Sequence, residues 1–65
     1  IPFPDVATVA EIHDLAMKGN MNGILRQIDQ LVQNNPPLKP FVDTIRQYAQ
    51  GFDDEAILEF LDYSA

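Results

Sequence analysis

Apolar residues recur along this chain at spacings of three and four positions, and three short segments interrupt the pattern. The interruptions are Gly19-Asn20, residues 34–40 with their three prolines, and Gly51. No segment between them alternates with the period of two that a half-buried strand requires. The spacing therefore predicts an all-α fold, a small antiparallel bundle of four short helices arranged as two helical hairpins.

In the first hairpin, helix one is predicted over about residues 5–18, with Gly19 as the left-handed residue after its end. Asn20 then caps helix two, which is predicted to run to about residue 33. Helix one is predicted to bury the centre of one apolar face and its flanks, Val9, Ile12 and Ala16 with Leu15 and Val6. Helix two is predicted to bury an unbroken stripe, Met21, Ile24, Leu25, Ile28, Leu31 and Val32.

In the second hairpin, helix three begins near Pro37, has Pro40 in its first turn and ends at Gly51. Its predicted stripe is Leu38, Phe41, Val42, Ile45, Tyr48, Ala49 and Phe52. Helix four, capped by Asp53 or Asp54, is predicted to bury Ile57, Phe60 and Leu61. The two hairpin turns differ in spacing by one residue when Gly19 is aligned with Gly51, which is too weak to indicate an internal repeat.

A chain of 65 residues forms one domain, and without cysteine its apolar core must stabilise it alone. The opening residues, IPFP, suggest a linker stub at 1–4 and a single helical domain at 5–65 within a longer polypeptide. No run of apolar residues is long enough to span a membrane, and no signal peptide pattern is present. A cytoplasmic location is the expectation.

The charge distribution restricts the class of partner. The formal net charge is −6, and residues 51–65 contain five carboxylates and no lysine or arginine. Binding to nucleic acid or to an anionic membrane surface depends on clustered basic residues, so both are disfavoured. A basic or neutral protein surface fits this charge better. The acidic face of helix four is either such a docking surface or a solvated face that keeps the domain soluble.

His13, the only histidine, raises the possibility of phosphotransfer. Histidine phosphotransfer modules place a lysine three positions after the histidine, on the same helix face. Here Lys18 follows by five positions, which rotates it about 140° from His13 around the helix. His13 itself lies about 70° from the centre of the apolar stripe, where residues at the edge of a packed face occur. Edge packing is the favoured interpretation, and atypical phosphotransfer is the alternative.

Other chemistry has little support in the sequence. One histidine beside carboxylates falls short of a metal-binding set, so no metal is expected. Thr8, Thr44 and Ser64 lack a base partner for nucleophilic catalysis, and no glycine-rich loop follows a strand. The sequence predicts a protein that is not an enzyme and that uses no cofactor.

Several segments together resemble one family. They are residues 14–24 (DLAMKGNMNGI), Asn35-Pro36 with Pro40-Phe41, residues 48–52 (YAQGF) and residues 57–61 (ILEFL). The combination is similar to the C-terminal helical segment of bacterial, especially cyanobacterial, hybrid sensor histidine kinases and related receiver-containing proteins. That family has Leu-Ala-x-x-Gly-Asp-(apolar)-x-Gly-Ile, and Asn20 replaces its common aspartate with another N-capping residue. His13 is not part of the pattern.

The resemblance implies a regulatory appendage of a two-component signalling protein. We expect a non-catalytic interaction module that docks on a receiver or kinase domain of the same or a cognate chain, or that associates with itself. Leu58 and Tyr63 lie off the stripe of helix four and are predicted to form an exposed apolar contact patch. The candidate contacts are Leu58, Glu59, Asp62 and Tyr63.

Overall fold

The computed structural model describes residues 1–62 and confirms the all-α prediction. The helices are α1 (Val6–Met17), α2 (Met21–Asn34), α3 (Lys39–Gln50) and α4 (Asp54–Asp62), and a 3₁₀ turn, Pro36–Leu38, precedes α3. No strand occurs in the described part of the chain. Each helix packs against its neighbours in sequence, and α1 also packs against α4. The four helices therefore form a closed antiparallel ring around one core.

The core consists of apolar side chains from all four helices. The fully buried set contains Phe41, Ile12, Ile24, Ile28, Ile45, Ile57 and Val42. Within residues 1–62 no polar or charged side chain is buried. Helical periodicity predicted every one of these seven positions, because burial follows the face that each helix turns toward the ring's interior.

The N-terminal segment belongs to the packed domain, which differs from the predicted linker. The Phe3 ring lies 5.0 Å from the Phe41 ring and 5.1 Å from the Phe60 ring, measured between centroids. Phe41 and Phe60 are themselves 5.7 Å apart, so the three rings form one aromatic cluster. Pairs at these separations stabilise a protein beyond the area that they bury. Phe3 thus joins the first residues to the second hairpin.

Both hairpin turns use the same helix-terminating motif. After α1, the Gly19 N–H donates to the Ala16 carbonyl at 3.0 Å and the Asn20 N–H donates to the Leu15 carbonyl at 2.9 Å. After α3, the Phe52 N–H donates to the Ala49 carbonyl at 3.1 Å and the Asp53 N–H donates to the Tyr48 carbonyl at 3.0 Å. These paired bonds define the Schellman motif, which satisfies carbonyls at the helix end.

The next residue caps the following helix in both turns. Asn20 Oδ1 accepts from the Gly23 N–H at 3.0 Å, and Asp53 Oδ1 accepts from the Ala56 N–H at 3.1 Å. The predicted N-cap at Asn20 is therefore confirmed. Of the two residues proposed to cap α4, Asp53 is the one that does so.

Helix boundaries of the first hairpin recur in the second hairpin at a constant distance along the chain. Lys39 lies 33 positions after Val6, Gln50 lies 33 after Met17, and Asp54 lies 33 after Met21, so three helix boundaries coincide. Four pairs of buried residues obey the same offset: Ile12 and Ile45, Ala16 and Ala49, Ile24 and Ile57, Ile28 and Leu61. The two hairpins therefore correspond residue by residue at this offset. The offset aligns Gly19 with Phe52 and not with Gly51, the residue compared with Gly19 in the sequence analysis.

Phe52 is not a core residue, which corrects its predicted place in the stripe of helix three. Its side chain is 78% exposed and its φ is 55°, in the left-handed region. Gly51 has a φ of −90° and is the C-cap, so the left-handed position falls one residue later. This position directs the ring into solvent. A bulky residue in this conformation is rare and strained.

Substitutions at the two equivalent left-handed positions are expected to change stability in opposite directions. Phe52→Gly should stabilise the domain by about 0.5–1 kcal/mol, because relief of the left-handed strain exceeds glycine's entropic cost. Gly19→Ala should destabilise it by about the same amount. A Cβ at Gly19 would meet no atom within 4 Å, so its effect reports the backbone alone. Urea denaturation of both variants measures the signs, and a destabilised Phe52→Gly would contradict the assignment.

Candidate docking surface

The outer face of α4 carries negative charge without compensating cations. Glu55, Glu59 and Asp62 are exposed on this face, one helical turn or two apart. Three of the four basic residues are paired elsewhere: Lys18 with Asp14 at 2.8 Å, Lys39 with Asp43 at 2.8 Å, and Arg46 with Asp29. Within residues 1–62, no ion pair involves an acidic residue of α4. The potential on this side of the domain is therefore negative.

The structure brings together only part of the predicted contact set. Glu59 and Asp62 are exposed, as a docking surface requires. Leu58 is half-buried and packs against the core, so it does not form the predicted exposed patch. Both α1 and α3 pack against α4, so α4 buries more of its circumference than a single apolar stripe. Tyr63 lies outside the described residues.

Part of the exposed apolar surface lies on α1, where the sequence analysis did not place it. Val6 is 86% exposed and Met17 is 66% exposed. Ala10 is also exposed, and His13 is half-buried. These four residues are spaced by four, three and four positions, so they share one face of α1. Val6 was predicted to flank the buried stripe, and the structure places it in solvent instead.

The signal for this face was present in the sequence. Val9, Ile12 and Ala16 account for the buried side of α1, and they leave Val6, Ala10 and Met17 as a second apolar series. A helix packed on one side needs only one such face. Sequence spacing alone does not say which of two faces becomes buried.

A groove runs between this part of α1 and the end of α4. Its volume is about 390 Å³, and its lining is mainly apolar, from Phe3, Pro4, Val6, Val9, Ala10 and Leu61. His13 from α1 and Asp62 from α4 add the polar groups. The arrangement suits apolar side chains of a partner accompanied by a cation near Asp62, because an apolar surface with a few polar groups is typical of binding sites.

His13 lies at the edge of the packed face, the position predicted from the periodicity. It borders the groove and is half-buried. Lys18, the cation that phosphotransfer would use, instead pairs its Nζ with Asp14 Oδ2 at 2.8 Å. The structure therefore does not bring this lysine and His13 together.

Within residues 1–62, no three acidic or histidine side chains come together as a metal site. None of the helices described has the length and apolar character needed to cross a membrane. Comparison with protein-family models, curated proteins and solved structures gives no match to this chain.

Proposed function

We propose that this domain is a non-catalytic regulatory module of a two-component signalling protein, and that it docks on a receiver or histidine kinase domain of the same or a cognate chain. The observation that carries the proposal is the groove in which the exposed Val6 and Ala10 of α1 lie beside Asp62 of α4, a carboxylate that forms no ion pair within residues 1–62. Contiguous exposed apolar surface with a polar rim marks interaction sites. The proposed site of action is in the cytoplasm, where such signalling domains work.

The residues that carry the family resemblance support this proposal through their structural roles. Ala16 and Ala49 are buried at equivalent helix ends, and Gly19 and Asn20 make the first turn. Phe41 lies in the core, and Ile57 and Leu61 bury α4. The shared pattern thus specifies the bundle. Specificity for a partner would then reside in the exposed residues, including Glu59 and Asp62.

The charge of the domain supports a partner with a basic contact surface. A domain with net charge −6 is attracted to a basic patch at long range, and this attraction raises the association rate. Such binding weakens as ionic strength rises, because salt screens exposed charges over about 8–10 Å.

NMR titration tests the proposal directly. The ¹⁵N-labelled domain is mixed separately with the receiver domain and the kinase domain of the polypeptide that carries it. We expect amide shifts on α1 and α4, and weaker binding in high salt. Glu59→Gln should weaken binding about threefold, whereas Asp43→Asn, the same charge change on α3, should not. Absence of shifts with both domains would refute the docking function.

Phosphotransfer through His13 is the alternative function. It predicts that incubation with a phosphorylated receiver or an active kinase labels the wild-type domain and leaves His13→Gln unlabelled. The separation of Lys18 from His13 favours the docking function over this one. Label on the wild-type protein that is lost in His13→Gln would reverse that preference.

A further inference from the structure

The interface between α1 and α4 has an internal counterpart in the same molecule. Under the 33-residue offset, α1 and α4 correspond to α3 and α2. His13 then corresponds to Arg46, and Asp62 corresponds to Asp29. The bundle thus contains two versions of one helix interface, and each serves as a reference for the other.

The two versions differ in how their polar groups are paired. Between α2 and α3, Arg46 Nη2 donates to Asp29 Oδ1 and forms an ion pair. Between α1 and α4, the equivalent side chains line a groove, and within residues 1–62 no ion pair joins His13 to Asp62. Asp62 therefore occupies the place of a paired aspartate without the arginine that pairs with it in the counterpart.

The two versions also differ in the outer face of the first helix. The counterparts of Val6, Ala10 and Met17 on α3 are Lys39, Asp43 and Gln50, all of them exposed and polar. Lys39 and Asp43 even form an ion pair with each other at 2.8 Å. A helix of the same length at the equivalent position of the bundle therefore folds with polar residues at these positions. The apolar face of α1 is not a requirement of the bundle.

We propose that the groove between α1 and α4 binds an amphipathic helix of a partner protein, whose apolar residues pack on Val6, Val9, Ala10 and Leu61 and whose arginine or lysine pairs with Asp62. This inference rests on the proposed docking function and names its site and the chemistry of the partner. The partner's cation takes the role toward Asp62 that Arg46 has toward Asp29. The amphipathic helix lying in an apolar groove is a common mode of protein recognition.

The size of the site fits such a helix. The face from Val6 to Met17 extends over the 12 residues of α1, which is about 18 Å along the helix axis. A partner helix of about three turns spans it. The groove of about 390 Å³ lies at one end of this face and accommodates apolar side chains there.

The charges disfavour a second copy of this chain as the occupant. A symmetric contact through the groove would bring no lysine or arginine to Asp62, because none is among the described residues that line it. Each chain also carries a net charge of −6. Like charges opposed in an interface are destabilising, whereas a basic helix gains from the same field.

The test uses a synthetic amphipathic peptide of about 18 residues, leucine on one face and lysine and arginine on the other, a length that supports helix formation. A matched peptide replaces the basic residues with glutamate. Each is titrated into the ¹⁵N-labelled domain, residues 1–65. We expect the basic peptide to shift the amides of Val6, Val9, Ala10, His13, Leu61 and Asp62, and the acidic peptide to shift none of them.

Two pairs of variants locate the site. Val6→Asp places a charge on the apolar face and should weaken binding at least about tenfold, whereas Phe52→Asp, at an exposed apolar residue off α1, should leave it unchanged. Asp62→Asn should weaken binding about threefold, whereas its counterpart Asp29→Asn should not. All four of these residues are exposed, so circular dichroism should show all four variants folded.

The outcomes of these experiments can reject the groove as the binding site without rejecting the docking function. Shifts confined to other residues, equal binding of the acidic peptide, or indifference to Val6→Asp would overturn the groove proposal. Sedimentation of the free domain that reveals a dimer abolished by Val6→Asp would overturn it too, by identifying a second copy as the occupant. A receiver or kinase domain that binds wild type and Val6→Asp equally would sustain the docking function and reject the groove.

Discussion

Phe41→Ala is expected to leave most molecules unfolded at 25 °C. The Phe41 ring has no solvent exposure, and it contacts the rings of Phe3 and Phe60 at 5.0 and 5.7 Å. Removing a buried phenylalanine costs about 3–5 kcal/mol, from lost transfer free energy and the cavity left behind. A domain of this size rarely has more than about 3–5 kcal/mol of stability, because its core is small. The loss therefore equals or exceeds the available stability.

Circular dichroism at 222 nm measures this effect, and Phe52→Ala provides the matched control. The control deletes the same side chain from a site that is 78% exposed, so its free energy of unfolding should change by less than about 0.5 kcal/mol. A Phe41→Ala protein with native helicity and an unchanged denaturation midpoint would show that the three-ring cluster does not stabilise the bundle.

Phe3→Ala is expected to destabilise the domain by about 2 kcal/mol. Phe3 is half-buried, so its removal costs less free energy than the removal of a fully buried ring. The substitution nevertheless removes the ring contacts with both Phe41 and Phe60. Residues of a true linker contribute nothing, so this effect distinguishes a structural N-terminal segment from a linker. The measurement is the urea midpoint of the variant against wild type.

Ile1→Ala is the control for Phe3→Ala, because Ile1 belongs to the same segment and is 69% exposed. It should behave as wild type within about 0.5 kcal/mol. If Phe3→Ala also matched wild type, the ring cluster would be marginal and the domain would begin at α1.

The turns illustrate how far sequence reasoning extends. Gly19 and Asn20 were interpretable because each has a local preference that does not depend on the rest of the fold. The prediction that Phe52 is buried was wrong, although a phenylalanine at helical spacing ordinarily indicates burial. Phe52 has a left-handed φ because it occupies the position of the Schellman motif that requires one, between α3 and α4. The turn geometry overrides the preference of the residue.

The candidate site was less predictable than the fold. The carboxylates of α4 were identified from composition, since charged residues without buried partners lie on the surface. The groove was not, because it depends on which side of α1 faces α4. Leu58 shows the same limit: its spacing placed it off the stripe of α4, yet α4 has neighbours on two sides, and Leu58 is partly buried against the core.

Local patterns in the sequence were enough to predict the four helices, the cap at Asn20 and the seven largest of the fully buried side chains. The helices and caps depend on interactions between residues close in the chain. The buried positions follow from the helical spacing of the apolar residues. Three features depend instead on how the helices pack: the ring closes between α1 and α4, Phe3 packs against the core, and the second apolar face of α1 remains in solvent beside Asp62. Those features require knowing which helix lies next to which. Which helices become neighbours depends on the packing energy summed over contacts between residues distant in the chain. Local sequence patterns contain no information about those contacts.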